Sequence, residues 1–553
     1  MDGRLLTALK VGNFKAFADT QTIPLKPITL IFGPNSAGKS SFIHSLALAH
    51  EAQFGREKRN LSRLDVHHTD IGGSSIDLGG FRQYVHRGQA NRRVEWGAEL
   101  DVAKLSGRLA ELLAPVRKVA AELWIGVELD NEERPKPGSD PVVMAVELNA
   151  DGDALLRMSR RKDDVLRLDR LNHQHSVLRG VLRAIVAGST TTEDVTPNDL
   201  AGMDEAIADL VPQLFSRTER FFPMGIALPR EKSPEIGSAT LFPVSRGNRR
   251  EDLASAVRFF LPRVLDELVK ELFTALQGEL GRLLYLGPLR SFPPRHLAFA
   301  EHEDANWYAG GGYAWDVVRR NQQVRETINQ WLGDKDRLST PYELRVRNLL
   351  TIDALNQDYT SLVEALEKRF TKEEYDWDLF GELYGALDQI KSKEQGLTDM
   401  HDLVLLDRRT ETRVTHRDVG IGISQVLPVL VTAYASEGKI VAMEQPEIHL
   451  HPALQAELGD VFIEGALGKR QNTFILETHS EHLILRLLRR IRETSENSLP
   501  AGIPKIRPED VAVIYVNPKK EGAEVLEIPI TKDGDFASKW PDGFFPERTR
   551  ELM

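Results

Sequence analysis

A glycine-rich segment near the start of the chain has the composition of a phosphate-binding loop. It follows the apolar residues 28–32 and has the pattern G-x-x-x-x-G-K-S. Glycine and small residues let the backbone curl so that successive N–H groups point at one anion. The pattern comprises Gly33, Pro34, Asn35, Ser36, Ala37, Gly38, Lys39, Ser40 and Ser41.

The position of this loop favours a ligand site over an ordinary turn. An apolar strand precedes it, and a helix beginning near Lys39 would point its positive dipole end at an anion. The alternative is a strand–helix turn without a ligand. We predict that Lys39 reaches the β- and γ-phosphates of a nucleotide and that the Ser40 hydroxyl ligates Mg²⁺.

A phosphate loop needs a carboxylate on the metal side, supplied by a neighbouring strand. The apolar residues 439–443 end in Glu444, which we predict completes the metal shell together with Ser40. Gln445 and Glu447 follow directly and are candidates for positioning the attacking water. The alternatives are a polar strand end closed by a turn, or a zinc site that uses the histidines at 449 and 451. Two histidines without a further spaced ligand favour zinc only weakly.

A second strand end carries a histidine. Residues 473–476 are apolar, and His479 follows three residues later. Because ligands bind outside the carboxyl ends of strands in an open α/β sheet, we predict that His479 contacts the γ-phosphate. The alternative is a structural histidine.

Small residues open a helix between these two halves of the site. Gly422, Ser424 and Gln425 lie at that helix start, where backbone N–H groups can receive a phosphate. The first loop already supplies one phosphate site, so a second one would serve a second nucleotide. This arrangement predicts a homodimer, or a higher homo-oligomer, with ATP between the chains. The alternative is an ordinary glycine-rich helix start.

The elements that position these residues follow from the apolar periodicity. From residue 402 onward, strands at 439–443 and 473–477 alternate with helices near 424–436, 452–466 and 480–493, which predicts a parallel sheet. In the middle of the chain we predict strands at 93–102 and 123–130, a helical segment over 105–123 that Pro115 kinks or restarts, and a hairpin of 142–149 with 154–159. A leucine stripe from Leu261 to Leu276 predicts a helix with a buried face.

The composition excludes several classes of protein. The chain has 553 residues and no cysteine, which excludes disulfides and cysteine-ligated zinc or iron–sulfur sites. No run of about 18 apolar residues is present, so we expect a cytoplasmic protein without a membrane domain. A formal charge of -11 argues against general coating of DNA. A local basic groove for nucleic acid stays open.

Taken together, these motifs resemble the ABC/SMC-like branch of P-loop ATPases, which includes RecF-type, SMC-type and OLD-type proteins. Residues 11–17 and 27–41 are similar to the N-terminal lobe of that family, 444–452 to its Walker B segment, and 477–483 to its switch-histidine segment. Residues 420–425 resemble a divergent ABC signature. The ending, at 533–536 and 540–548, looks like the C-terminal extension of a bacterial AAA-type subfamily.

The resemblance implies an α/β fold, namely an ABC-type ATPase head with a mixed α/β insertion between its two lobes. The implied domains are 1–90, 91–400 and 401–553, with ATP and Mg²⁺ as cofactors. Hydrolysis is expected to be slow, because Gln445 stands where the family usually has a catalytic glutamate. The residues 91–400 would supply partner recognition.

The function that this resemblance implies is a dimeric, ATP-driven switch or scaffold in anti-phage defence. Its partner would be a separately encoded effector, either a nuclease or a toxin. A DNA-repair ATPase that acts directly on DNA is the main alternative, and a nucleotide-binding structural protein with little turnover is a third.

Overall fold

The strands of the computed structural model build two large sheets and two small ones. The structure describes residues 4–56, 62–161, 163–189, 197–218, 220–229, 249–290, 306–335, 337–348, 401–414 and 421–541, with isolated positions between 360 and 388. The strands are β1 (Leu6–Gly12), β2 (Gln21–Pro24), β3 (Ile28–Phe32), β4 (His68–Thr69), β5 (Gly73–Asp77), β6 (Val94–Asp101), β7 (Lys118–Gly126), β8 (Val142–Ala150), β9 (Asp153–Arg160), β10 (Leu166–Leu171), β11 (Phe215–Ser216), β12 (Leu283–Leu286), β13 (Tyr342–Asn348), β14 (His401–Asp407), β15 (Thr412–Val414), β16 (Ile440–Glu444), β17 (Thr473–Glu477), β18 (Val511–Asn517) and β19 (Glu524–Glu527).

The helices contribute to two cores, one on each side of the sheet that carries the predicted loop. They are α1 (Lys39–Phe54), α2 (Phe81–Tyr84), α3 (Gly107–Leu113), α4 (Ser176–Ser189), α5 (Pro197–Leu210), α6 (Arg249–Leu280), α7 (Gly312–Arg320), α8 (Gln322–Gly333), α9 (Ile421–Ala435), α10 (Pro452–Leu467) and α11 (Glu481–Ser495). Within the described residues, no helix combines the length and apolar composition needed to cross a bilayer.

A six-stranded sheet with the order β12-β16-β17-β3-β18-β19 carries the strand before the glycine-rich loop. Its first five strands are parallel, and only β19 pairs antiparallel to its neighbour. Every residue of β3, β16 and β17 is buried, as expected for parallel strands covered on both faces. This confirms the predicted parallel α/β sheet.

The two faces of this sheet contribute to two separate cores. Ile31 of β3 belongs to the core shared with α1 and α6, whereas Leu30 and Phe32 belong to the core shared with α9, α10 and α11. Successive side chains of a strand point to opposite faces, which explains the division. The sheet is therefore the middle layer of three.

An eight-stranded antiparallel sheet packs against the first of these cores. Its order is β11-β10-β9-β8-β7-β6-β1-β2. In this sheet β1 pairs with β6, which begins after residue 90. In the parallel sheet β12, at 283–286, pairs with β16, which begins after residue 400. Paired strands therefore cross both of the domain limits at 90 and 400, and that division stays a prediction.

Most of the predicted elements in the middle of the chain are confirmed. The 142–160 hairpin is present as β8 and β9. The leucines of the stripe on α6 are all buried, in agreement with a core role. The predicted helix over 105–123 is present only in its first half, as α3, which ends at Leu113; the second half is wrong, because β7 begins at Lys118. Pro115 cannot donate the helical N–H bond, and the chain restarts as a strand paired with β6 and β8.

The C-terminal segment packs on the strand that leads into the loop. β18 pairs with β3 along its whole length, and Trp540 lies edge-on against Phe32 with ring centroids 5.3 Å apart. Tyr515 and Phe536 complete this aromatic cluster. Residues 542–553, which include most of the predicted terminal motif, lie outside the described residues, as does Gly420.

Candidate nucleotide site

The loop after β3 has the backbone of a cradle. Gly33 has φ 147° and Gly38 has φ 101°, and Ser36 is left-handed at φ 59°. A Cβ on Gly33 would come within 2.5 Å of the Val516 carbonyl oxygen, and one on Gly38 would overlap the Cβ of Ala16. Both glycines are therefore required by close backbone approach as well as by conformation. No side chain caps the start of α1, so this helix end keeps its capacity to bind an anion.

Lys39 lies inside the loop rather than in solvent. Its Nζ donates to the carbonyl oxygens of Gly33 at 3.1 Å and Pro34 at 2.9 Å, and lies 4.0 Å from Oε1 of Glu477. Burial lowers the pKa of the ammonium group, although Glu477 opposes this. The Lys39 ammonium is thus held by loop carbonyl oxygens, and we expect phosphate oxygens to replace them as its hydrogen-bond acceptors.

Two carboxylates stand side by side at the ends of β16 and β17. Glu444 and Glu477 are register partners across these strands. The Ser40 hydroxyl donates to Oε2 of Glu477 at 2.6 Å, so the predicted metal ligand of the loop contacts Glu477 directly. Burial, and then the negative charge of Glu444, raise the pKa of Glu477 to about 7. Glu477 was not among the predicted site residues, although its position at a strand end is the same signal that identified Glu444.

Glu444 is held from two sides. The hydroxyl of Tyr285 donates to its Oε1 at 2.9 Å, and Nε2 of His44 lies 3.5 Å from the same oxygen. Nζ of Lys15 lies 2.7 Å from Nδ1 of His44, and if it donates there, the imidazole presents Nε2–H to Glu444. Burial lowers the pKa of Lys15 to about 8. The network brings together β12, α1 and the turn after β1, and no motif pointed to His44 or Lys15.

The turn after β16 is strained and tied to the next strand. Gln445 is left-handed at φ 45°, and its backbone N donates to the Glu477 carbonyl oxygen at 2.8 Å. Oε1 of Glu447 accepts from the backbone N of His479 at 2.7 Å, and burial raises the pKa of the Glu447 carboxyl. Glu447 does not cap the following helix, because Nδ1 of His451 accepts from the N of Ala453 at 3.3 Å and fills that role.

His479 lies beside the loop with its backbone fixed by that bond. The residue as a whole is exposed, yet partial burial of the ring and the nearby Lys39 lower the pKa of the imidazole. An exposed imidazole near Lys39 is compatible with the predicted phosphate contact, which stays a prediction.

Arg290 joins the start of α9 to the turn after β16. Its guanidinium donates through Nη1 to the carbonyl oxygen of Gln425 at 3.1 Å and through Nη2 to that of Gln445 at 3.0 Å. The amide of Gln425 donates back to the Arg290 carbonyl oxygen at 3.3 Å. Burial lowers the pKa of Arg290 to about 10. Arg290 was missed because nothing in its local sequence shows what it contacts.

The start of α9 is less open than a shared phosphate site requires. Ser424 is 1% exposed, and Gln425 is committed to Arg290. Gly422 packs under the His449 carbonyl oxygen, which would lie 3.1 Å from a Cβ there. In this conformation the Ser424 hydroxyl does not reach the surface, so contact with a second chain needs a rearrangement of the helix start.

The site fits a nucleotide–metal complex better than a metal alone. Within the described part of the chain, no group of three or more histidine, cysteine or acidic side chains could hold a metal ion. A Mg²⁺ ion takes one or two protein oxygens and completes its shell with water and substrate phosphates. The Ser40 hydroxyl and the Glu444 carboxylate, with Glu477 beside them, meet that requirement.

Three family models match separate parts of the chain. One, described as "AAA domain, putative AbiEii toxin, Type IV TA system", matches residues 283–486, and another, described as "AAA domain", matches residues 8–116. A third, "Protein of unknown function (DUF3696)", matches residues 506–553. The two AAA models cover the loop, the turn after β16 and the segment of His479. The two AAA models support the predicted resemblance to P-loop ATPases, and the third matches the predicted C-terminal extension.

Solved structures of SMC head domains are distantly similar. The head from Thermotoga maritima is 8% identical over 95% of this chain and 99% of its own, with a TM-score of 0.32. The SMC head bound to the C-winged helix domain of ScpA is 9% identical (95% and 98% covered, TM-score 0.33). A head bound to the C-terminal domain of Pyrococcus furiosus ScpA is 10% identical (95% and 96%, TM-score 0.33). The assignment rests on the family models and the strand order. No curated protein sequence matches the chain significantly.

The cradle generates a test of the loop geometry. Gly38→Ala should lower ATP affinity at least about 10-fold and destabilise the fold, because its Cβ overlaps Ala16 and because a non-glycine residue at positive φ costs about 1–3 kcal/mol. The matched control is Gly152→Ala, at φ 91° with no atom within 4 Å, which should cost only the backbone term and leave ATP binding unchanged.

The double variant Ala16→Gly/Gly38→Ala separates overlap from strain. Removing the Ala16 methyl group should restore part of the stability and affinity. Calorimetric titration and thermal unfolding report both quantities. Equal losses of ATP affinity and stability in Gly38→Ala and Gly152→Ala would contradict the proposed phosphate-binding role of the loop.

Proposed function

We propose that this protein binds ATP with Mg²⁺ between the loop at 33–41 and the ends of β16 and β17, and hydrolyses it slowly. The observation that carries the proposal is the convergence of Lys39, Ser40 and Glu444 at one edge of a parallel sheet. A bound Mg²⁺ ion would neutralise phosphate charge there. Around it, this chain's own residues have separate tasks: Lys39 contacts the β/γ-phosphates, Ser40 and Glu444 ligate the metal, and His479 faces the γ-phosphate.

The Lys39 contact is the first test of this site. Lys39→Ala should weaken ATP binding about 10- to 100-fold, since hydrogen bonds to a charged group contribute about 1.5–3 kcal/mol. Lys118→Ala, an exposed lysine on the antiparallel sheet, is the control and should bind ATP normally. Isothermal titration in Mg²⁺ buffer measures both. Unchanged affinity in Lys39→Ala would rule out the site.

The chemistry after β16 supports slow turnover. A glutamine amide can orient water but cannot accept a proton at neutral pH, and general-base help is typically worth about 10²–10⁴-fold. Glu447 is the other candidate for the water. Its carboxylate is buried and accepts a hydrogen bond from the His479 backbone, which favours a structural role that links the turn after β16 to the turn after β17.

Three variants separate these roles by steady-state ATPase rate. Gln445→Glu should raise kcat, because it adds a base at the water position. Glu447→Gln should leave kcat close to wild type, because the amide oxygen still accepts from His479. Glu447→Ala should lower kcat, because the hydrogen bond to the His479 backbone is lost. A collapse of kcat in Glu447→Gln would instead make Glu447 the base, and rapid wild-type turnover indifferent to every variant would remove water chemistry from this turn.

We further propose that ATP joins two heads and that the joined state signals to a separately encoded effector in anti-phage defence. The description of one matching model names a type IV toxin–antitoxin system, which is the reason to test for a toxin-type activity linked to this ATPase. The proposal requires the start of α9 to open, because Ser424 is buried in the single chain. A RecF/SMC-like ATPase acting directly on DNA is the alternative, and a salt-dependent DNA complex would favour it.

ATP-dependent assembly can be followed by light scattering and small-angle X-ray scattering. A non-hydrolysable ATP analogue should double the mass or change the particle shape of the wild type. Ser424→Arg should abolish that response, whereas Thr412→Arg, at an exposed strand position, should preserve it. A response that is absent in the wild type, or that survives in Ser424→Arg, would contradict the shared site.

A further inference from the structure

We propose that Glu477 is a positioning residue of this site: it holds the Ser40 hydroxyl so that the hydroxyl oxygen faces the metal of a bound nucleotide. The inference rests on the proposed ATP site. It adds a second acidic residue, outside the predicted set, whose role is specific to the metal-bound form of the nucleotide.

The hydrogen bond from Ser40 to Glu477 defines the orientation. A serine hydroxyl has one proton to donate and two lone pairs. The proton goes to Oε2 of Glu477 at 2.6 Å, which leaves the lone pairs available to a cation. Carboxylates that accept hydrogen bonds from metal ligands fix the orientation of those ligands and raise their basicity, and losing one typically costs about 10- to 100-fold in metal affinity.

The burial of Glu477 argues against an incidental contact. Glu477 is 5% exposed and ends a central strand whose other residues are apolar or threonine. Burying a carboxylate is costly unless charge and hydrogen bonds compensate. Among the described residues, the compensating groups are two residues of the phosphate loop, namely the Ser40 hydroxyl and the Lys39 ammonium at 4.0 Å. A strand end with a purely structural task would not need a charge here.

The neighbouring charges make Glu477 sensitive to the metal. Glu444 lies opposite it on β16, and both Glu444 and Glu447 act on it as like charges. Phosphates arriving without a cation would add negative charge to this cluster, whereas phosphates with Mg²⁺ would relieve the repulsion. Glu477 is therefore expected to favour ATP with Mg²⁺ over ATP alone.

The experiment compares ATP affinity with Mg²⁺ and with EDTA by isothermal titration. For Glu477→Ala we expect about a 10- to 100-fold loss of affinity with Mg²⁺ and unchanged or tighter binding in EDTA. Glu477→Gln keeps an oxygen that accepts from Ser40, so its loss should be smaller. Glu464→Gln is the matched control: this carboxylate also accepts from a hydroxyl, that of Tyr434, but lies away from the site and should change neither affinity.

A double-variant cycle tests whether Glu477 acts through Ser40. If it does, Ser40→Ala/Glu477→Ala should lose no more Mg²⁺-dependent affinity than the stronger single variant. Thermal unfolding without nucleotide checks that the variants fold, and Glu477→Gln keeps the test available if Glu477→Ala does not.

Three outcomes would overturn the role of Glu477. Equal losses with Mg²⁺ and with EDTA would show a structural residue, and additive losses in the double variant would show that Glu477 acts independently of Ser40. The Lys39→Ala variant, measured in parallel, separates this failure from failure of the site. If Lys39→Ala binds ATP normally, the proposed function is wrong; if only the Glu477 variants bind normally, only the positioning role is wrong.

Discussion

The parallel pairing of β3 with β17, and of β17 with β16, is the constraint on which the site depends. Parallel strands end at the same edge, so the loop after β3, Glu477 and Glu444 must converge without any direct sequence proximity. The eight-stranded sheet, the α6 leucine face and the C-terminal cluster all serve to bury the strands that hold this edge. A shift of one residue in that register would move each carboxylate to the opposite face of the sheet.

At this edge of the sheet, two buried polar side chains link the segments that would surround a bound ATP. Arg290 joins the start of α9 to the turn after β16, and Glu447 joins that turn to the backbone of His479. These are buried, charge-assisted contacts, so breaking one leaves an uncompensated charge. A rearrangement of α9 therefore cannot be local. It has to move the turn after β16 as well, which would couple the proposed assembly of two heads to the proposed hydrolysis.

The order of apolar and polar residues along the chain predicted the strands and strand ends that neighbouring residues determine. Apolar runs placed β3, β16 and β17 within a residue or two, and the strand-end rule located Glu444 and His479 at the edge where the structure has them. The failures have long-range causes. The segment 105–123 has helical spacing, but pairing with β6 and β8 overrides it beyond Pro115. Motif spacing does not predict three features of the site: the burial of Ser424, the Lys15–His44 contact and the hydrogen bonds of Arg290. These features depend on packing or on residues more than a hundred positions apart.

The order of strands also has a consequence during synthesis. β3 is complete at Phe32, but its two neighbours begin at Thr473 and Val511, so roughly 440 residues must be added before either edge of β3 can pair. At about 5–20 residues per second, the ribosome needs roughly 20–90 s for that stretch. Throughout that time a strand with four apolar residues out of five has two open edges, which is the condition that promotes aggregation. The nascent chain therefore has to shield the phosphate-loop strand, by transient packing against β1 and β2 or by a chaperone, long before the protein can meet its nucleotide.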